Sequence, residues 1–110
     1  MSRRFGLKEE TIAQINAVFA RHAEVKQAII YGSRARGDYR NGSDVDIVLV
    51  GGSDLDDKAL FSIITELENL PLPHTFDILV YPASGSAELR VEIDRDGVLF
   101  YERVEGSDVS

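Results

Sequence analysis

The chain contains no cysteine. That excludes a disulfide framework and a thiolate nucleophile, and it fits a reducing, cytoplasmic setting. Histidine is almost as scarce. His22 and His74 lie far apart in the chain, so they form no zinc-ligand pattern, and no Ser-His-Asp ordering is apparent. No apolar run approaches the roughly 18 residues of a membrane span. Arg3 and Arg4 are not followed by an apolar stretch of signal-peptide length. Basic residues are outnumbered, 12 Lys and Arg against 19 Asp and Glu, for a net charge of −7. Broad electrostatic binding to nucleic acid needs many phosphate-neutralising cations, so this balance argues against it. A basic protein partner stays open. There is no internal repeat, low-complexity segment or linker.

What is present suffices for one domain spanning 1–110, because 44% of the 110 residues are hydrophobic. Residues 1–6 and 103–110 read as flexible ends. Ile12, Ile15 and Phe19 recur at helical spacing within a helix over 8–22, with Glu9 and Glu10 in its first turn and Arg21 in its last. Val25–Tyr31 reads as a strand, 33–43 as a loop with a short helical turn, and Asp44–Val50 as a second, interior strand. Gly51-Gly52 ends that strand. Ser53 or Asp54 then caps a helix whose buried face is Leu60, Ile63, Ile64 and Leu67, and Pro71 and Pro73 stop it. A third strand over 75–81, a turn over 82–85, a helix over 86–95 and a strand over 98–101 complete the order. The fold class is α/β (α+β): a mixed sheet of three or four strands covered by helices.

The informative stretch is Ile29–Val50. An apolar run ends in Gly32-Ser33, and ten residues later Asp44-Val45-Asp46 opens the next one. Strand side chains alternate, so Asp44 and Asp46 share a face while Val45 and Ile47 share the other. Two carboxylates so close repel each other. The usual offset is a divalent cation, and hard oxygen ligands favour Mg²⁺. Between the two motifs lie Arg34, Arg36 and Arg40, three of the twelve basic residues within seven positions. A cation site, a glycine-serine turn with backbone N–H groups and a local arginine cluster together suit a metal-bound nucleoside triphosphate.

Gly32-Ser33, ten intervening residues and Asp44-x-Asp46 resemble the signature of the DNA polymerase β-like nucleotidyltransferases. The fuller strings Gly32-Ser33-Arg34-Ala35-Arg36-Gly37 and Ser43-Asp44-Val45-Asp46 resemble its minimal (MNT) branch, many members of which pair with HEPN-domain toxins. The resemblance implies that Asp44, Asp46 and a third acid on the following strand, Asp77, hold two Mg²⁺ ions. It also implies that Gly32, Ser33, Arg34 and Arg36 cradle the triphosphate of ATP, and that Asp77 takes the proton of the attacking hydroxyl. The activity it implies is transfer of AMP from ATP to a hydroxyl, a tyrosine above all, of a HEPN toxin, with the chain as antitoxin. Two alternatives stay open: an antitoxin acting by contact alone, and a small-molecule nucleotidyltransferase working as a homo- or hetero-oligomer.

Asp77 has an independent argument. A carboxylate amid Phe76, Ile78, Leu79 and Val80 costs several kcal/mol if buried unpaired. Its bland alternative is an exposed residue on an edge strand. Arg34 and Arg36 have the bland alternative of solvated charges, and Asp44 that of a turn residue. Tyr39, in the loop, is a candidate for base stacking or self-modification. Larger relatives add domains that hold the acceptor, and nothing here is left over to build one. A partner is therefore expected to supply it.

Overall fold

The computed structural model describes residues 3–40, 42–81 and 87–104. Its centre is a four-stranded mixed sheet made of β3 (Val25–Tyr31), β4 (Val45–Gly51), β5 (Phe76–Val80) and β6 (Val98–Glu102), in the order β5-β4-β3-β6. β3 pairs antiparallel with both β4 and β6, whereas β4 and β5 run parallel. A parallel pair needs a crossover, and α3 (Asp57–Glu68) supplies it. The mixed α/β architecture is the expected one.

Alternation along the strands divides the molecule. Ala28 and Ile30 on β3, Ile47 and Leu49 on β4, and Ile78 on β5 pack in one buried cluster with Ile15 and Phe19 of α1 (Glu9–Ala20) and Ile63 and Leu67 of α3. The intervening residues face the other way. There Tyr31 and Val48 join Ile93 of α4 (Ala87–Asp96) in a second, smaller cluster flanked by Ile29 and Leu79. The helices thus form two layers around the sheet. The four-residue α2 (Ser33–Arg36) opens the loop between β3 and β4.

Several expectations need correction. The lead-in is not loose: β1 (Arg3–Arg4) and β2 (Leu7–Lys8) form a hairpin, and Leu7 is fully buried. Its turn residues Phe5 and Gly6 both have positive φ, 59° and 73°, the signature of a two-residue hairpin loop. α3 is capped by Asp56, whose Oδ1 accepts from the Ala59 N–H at 2.9 Å, not by Ser53 or Asp54. Leu55 is buried directly before it, which delays the helix start. Arg21 caps α1 from beyond its last turn and donates to Glu66 at 3.0 Å, while His22 Nε2 lies 2.7 Å from the same carboxylate, so the end of α1 is tied to α3. The turn expected at 82–85 and the tail 105–110 lie outside the described residues. No helix among the described residues is long and apolar enough to cross a membrane.

Arg103 also departs from the expected flexible end. Its Nε donates to the Val25 carbonyl at 3.0 Å, and its Nη2 lies within 3.1–3.3 Å of Phe19 and Ala20 oxygens and 2.9 Å from that of His22. The Phe19 and Ala20 oxygens are carboxyl-terminal carbonyls of α1, which attract a cation, and His22 and Val25 lie just beyond that end. Arg103→Ala is expected to lower stability by about 1–3 kcal/mol, the cost of leaving such acceptors unpaired. Arg103→Lys should recover part of this, and urea unfolding of the three proteins measures it.

Candidate active site

The carboxylates meet where the second sheet face runs out of apolar cover. The register pairs Tyr31 with Asp46 across β3 and β4, and Asp46 with Asp77 across β4 and β5. Directly paired residues point to the same face, so Tyr31, Asp46 and Asp77 form a row, each about 4.8 Å from the next. Asp44 precedes β4 by one residue, is exposed, and adds its charge to the same region.

Gly32 abuts this row. It has φ +77°, and a Cβ built on it would lie 2.6 Å from Asp46 Oδ2. The backbone here adopts a conformation that side chains avoid, and the Asp46 carboxylate occupies the space a side chain would need. Ser33 follows as the first residue of α2, where the opening N–H groups of a helix have no partner within it. The glycine-serine turn and the Asp46 carboxylate are therefore in contact.

Burial and the neighbouring charges of Asp77, Asp44 and Glu92 push the Asp46 carboxyl up to about 6, with Arg34 opposing weakly. Burial and the charges of Asp77 and Asp46 push the Tyr31 phenol far above its ordinary value, which keeps it neutral. Asp77 is exposed, and β5 is an edge strand. The cost of a buried lone carboxylate is therefore not what singles it out; its register opposite Asp46 is.

The arginines separate. Arg34 is buried at 4% exposure. Its Nε and Nη2 donate to the Ser43 carbonyl at 3.2 and 3.0 Å, its Nη1 donates to the Phe5 carbonyl at 2.8 Å, and its guanidinium stands over the Tyr39 ring. The expected triphosphate contact gives way to a structural one: Arg34 ties the hairpin turn to the residue just before Asp44. Tyr39 packs in that contact. Arg36 points the other way and pairs with Asp38 at 3.3 Å and with Glu92 and Asp96 of α4 at 3.4 and 3.5 Å. Glu92, whose charge reaches Asp46, carried no motif that would have revealed it in the sequence. A recess of about 450 Å³ lined by Gly6, Thr11, Gln14, Pro73 and His74, among others, contains none of the three aspartates.

Comparison with known proteins identifies the arrangement. The family model described as Polymerase beta, Nucleotidyltransferase matches residues 13–106. The chain belongs to this family. A Methanocaldococcus jannaschii protein with the provisional name protein adenylyltransferase is 44% identical over 43 residues, covering 38% of this chain and 43% of that protein, so the match spans less than half of the relative. Among solved structures, a toxin–antitoxin with AMP-PNP superimposes with TM-score 0.68 at 19% identity, over 84% of this chain and 73% of that one. A complex of a tri-AMPylated Shewanella oneidensis HEPN toxin with its MNT antitoxin gives TM-score 0.63 at 17% identity, over 86% and 72%. At such identities the likeness is one of fold, the nucleotidyltransferase fold.

Among the described residues, no three acidic or histidine side chains are gathered to hold a metal ion by themselves. The expected three-aspartate cluster of Asp44, Asp46 and Asp77 is therefore not assembled; the adjacent pair is Asp46 and Asp77, and Mg²⁺ can bind through one or two carboxylates with substrate phosphates and water completing its shell. The donor set fits such a site: adjacent hard carboxylates, with burial first and the charge of Asp77 next raising the proton affinity of Asp46.

A pH dependence follows. With an unfolded value near 3.8 and a folded value of about 6, Asp46 holds a proton in the folded chain that the unfolded chain has released. Stability therefore falls as pH rises through that window and is level above it. Asp46→Asn should melt above the wild type at about pH 7.5 in chelator and converge with it near pH 4. A wild-type melting temperature that climbs relative to the variant across this window would mean that the fold stabilises the carboxylate. Gly32→Ala should lose about 1–3 kcal/mol from backbone strain and displace the Asp46 carboxylate, as melting and metal titration will report.

Proposed function

We propose that this chain transfers AMP from ATP to a hydroxyl, a tyrosine above all, on a HEPN-domain toxin, and so acts as an antitoxin in the cytoplasm. The observation that carries the reading is the contact of Gly32 with the Asp46 carboxylate beside Asp77. It brings a phosphate-cradling turn and paired carboxylates to one point, which a module acting by contact alone does not need. The names of the neighbours support the partner class, since they include an antitoxin complexed with an AMPylated HEPN toxin.

In this reading Asp46 and Asp77, with Asp44 nearby, would hold Mg²⁺, one ion or two, together with oxygens of the triphosphate. When bound, the metal neutralises phosphate charge and lowers the pKa of the acceptor hydroxyl. The chain's own part is alignment. Ser33 and the first N–H groups of α2 hold the triphosphate. Asp77, at the exposed edge, faces the side from which an acceptor arrives and takes its proton. The acceptor oxygen bonds to the α-phosphorus, the bond from that phosphorus to the oxygen bridging to the β-phosphorus breaks, and pyrophosphate leaves. Arg34 acts through position: its two bonds to the Ser43 carbonyl fix the approach to Asp44.

The experiment is co-expression with the HEPN partner, separation under denaturing conditions and intact-mass measurement. A gain of whole AMP units that disappears with Asp77→Asn supports transfer. An unmodified partner inhibited only while bound establishes the contact mechanism. Label from ATP appearing in small molecules, with the partner unmodified, points to a small-molecule acceptor.

A further inference from the structure

Arg36 is held by α4, and Glu92 is the α4 residue that also faces the acid row. Its carboxylate lies 3.4 Å from Arg36 Nη1, and its charge acts on both Asp46 and Tyr31. Asp96, 3.5 Å from the same nitrogen, is itself tied to Arg95 at 2.9 Å. Asp38 engages the other side of the guanidinium, at Nε. Glu92 therefore holds the cation of the glycine-serine loop and is also charged within range of the carboxylates of the site. Its contact with Arg36 is long, and both side chains keep about a third of their surface in solvent, 38% for Arg36 and 34% for Glu92. Pairs of this kind contribute little and exchange readily. A triphosphate seated on Ser33 lies within the reach of Arg36, one helical turn further on, and offers the planar, charge-assisted pairing that guanidinium prefers.

We propose that Glu92 is a positioning residue that stores the Arg36 guanidinium beside the site and hands it to the triphosphate when nucleotide binds. This rests on the nucleotidyltransferase reading above. In the resting chain Arg36 is shared by Glu92, Asp96 and Asp38. In the bound state its Nη1 leaves Glu92 and Asp96 for a phosphate oxygen, while Nε stays near Asp38 and keeps the side chain in place. The competition makes nucleotide affinity a balance between two acceptors for one cation.

The test is calorimetric titration with Mg²⁺·AMP-PNP of the wild type, Glu92→Gln, Arg36→Ala and the double variant, each confirmed folded by its melting curve. Glu92→Gln removes the competing acceptor and should tighten binding about 2–5-fold. Arg36→Ala should weaken it about 10-fold. In the Arg36→Ala background Glu92→Gln should have no effect, because nothing is left to hand over. An NMR shift of the Arg36 guanidinium on titration, reproduced in part by Glu92→Gln without nucleotide, supports the exchange. Unchanged affinity in Glu92→Gln overturns the proposal, and so does the same tightening with Arg36 absent, which would leave Glu92 acting by charge alone. Wild-type protein that fails to bind the analogue overturns the nucleotidyltransferase reading itself and this proposal with it.

Discussion

The pairing of Asp46 with Asp77 across β4 and β5 is the constraint on which the site depends. Strand spacing fixes the two residues side by side, and neither can withdraw without disturbing its ladder. The neighbours Ile47 and Ile78 are buried on the opposite face, so the hydrophobic contacts that stabilise the sheet also hold the carboxylates together. A lone pair of surface acids would drift apart. Here the cost of keeping them close is met by the core, and the result is a site whose charge is arranged before any ligand arrives. Such preorganisation is where catalytic electrostatics draws its advantage.

The two faces of the sheet divide the labour. The α1–α3 face holds the main cluster, including fully buried Phe19, Ile15, Ile47 and Leu49. The α4 face holds a smaller one around Tyr31, Val48 and Ile93, and the acid row begins where that cluster stops. Tyr31 belongs to both: it is buried in the second cluster and paired with Asp46. The low-dielectric edge it provides is one reason the Asp46 carboxyl resists ionisation.

Much of this was legible in the chain itself. The stretches Val25–Tyr31 and Asp44–Val50 mark the central strands within a residue of their observed bounds. Gly32 and Asp46, separated in the chain, meet because both sit at the ends of adjacent antiparallel strands, which one short loop must connect. Other features depend on distant parts of the fold. The pairing of Asp77 with Asp46 is set by how α3 returns the chain, and no local pattern encodes a parallel register. The burial of Arg34 depends on carbonyls from Phe5 and Ser43, one of them 29 residues away. Glu92 comes from a helix with no motif at all. The hairpin at Phe5-Gly6 is different, since a two-residue turn ending in glycine was there to be read, and Leu7 beyond it gave an apolar anchor.

The arginines show why a cluster in sequence need not be one in space. Arg34 and Arg36 are two residues apart on a single helical turn, a spacing that sends side chains to opposite sides. One enters the protein beneath Tyr39 and serves the backbone; the other crosses to the acids of α4. Neither neutralises Asp46 and Asp77. The site therefore presents a negative field to an equally negative triphosphate, and Arg36, shared among three carboxylates, cannot reverse it alone. On the proposed function, a divalent cation arriving with the nucleotide would meet both needs at once, since it would be attracted by the carboxylates and carry the phosphates in with it. The coupling of nucleotide to metal that this function requires would then follow from where the geometry of a four-residue helix sends two neighbouring arginines.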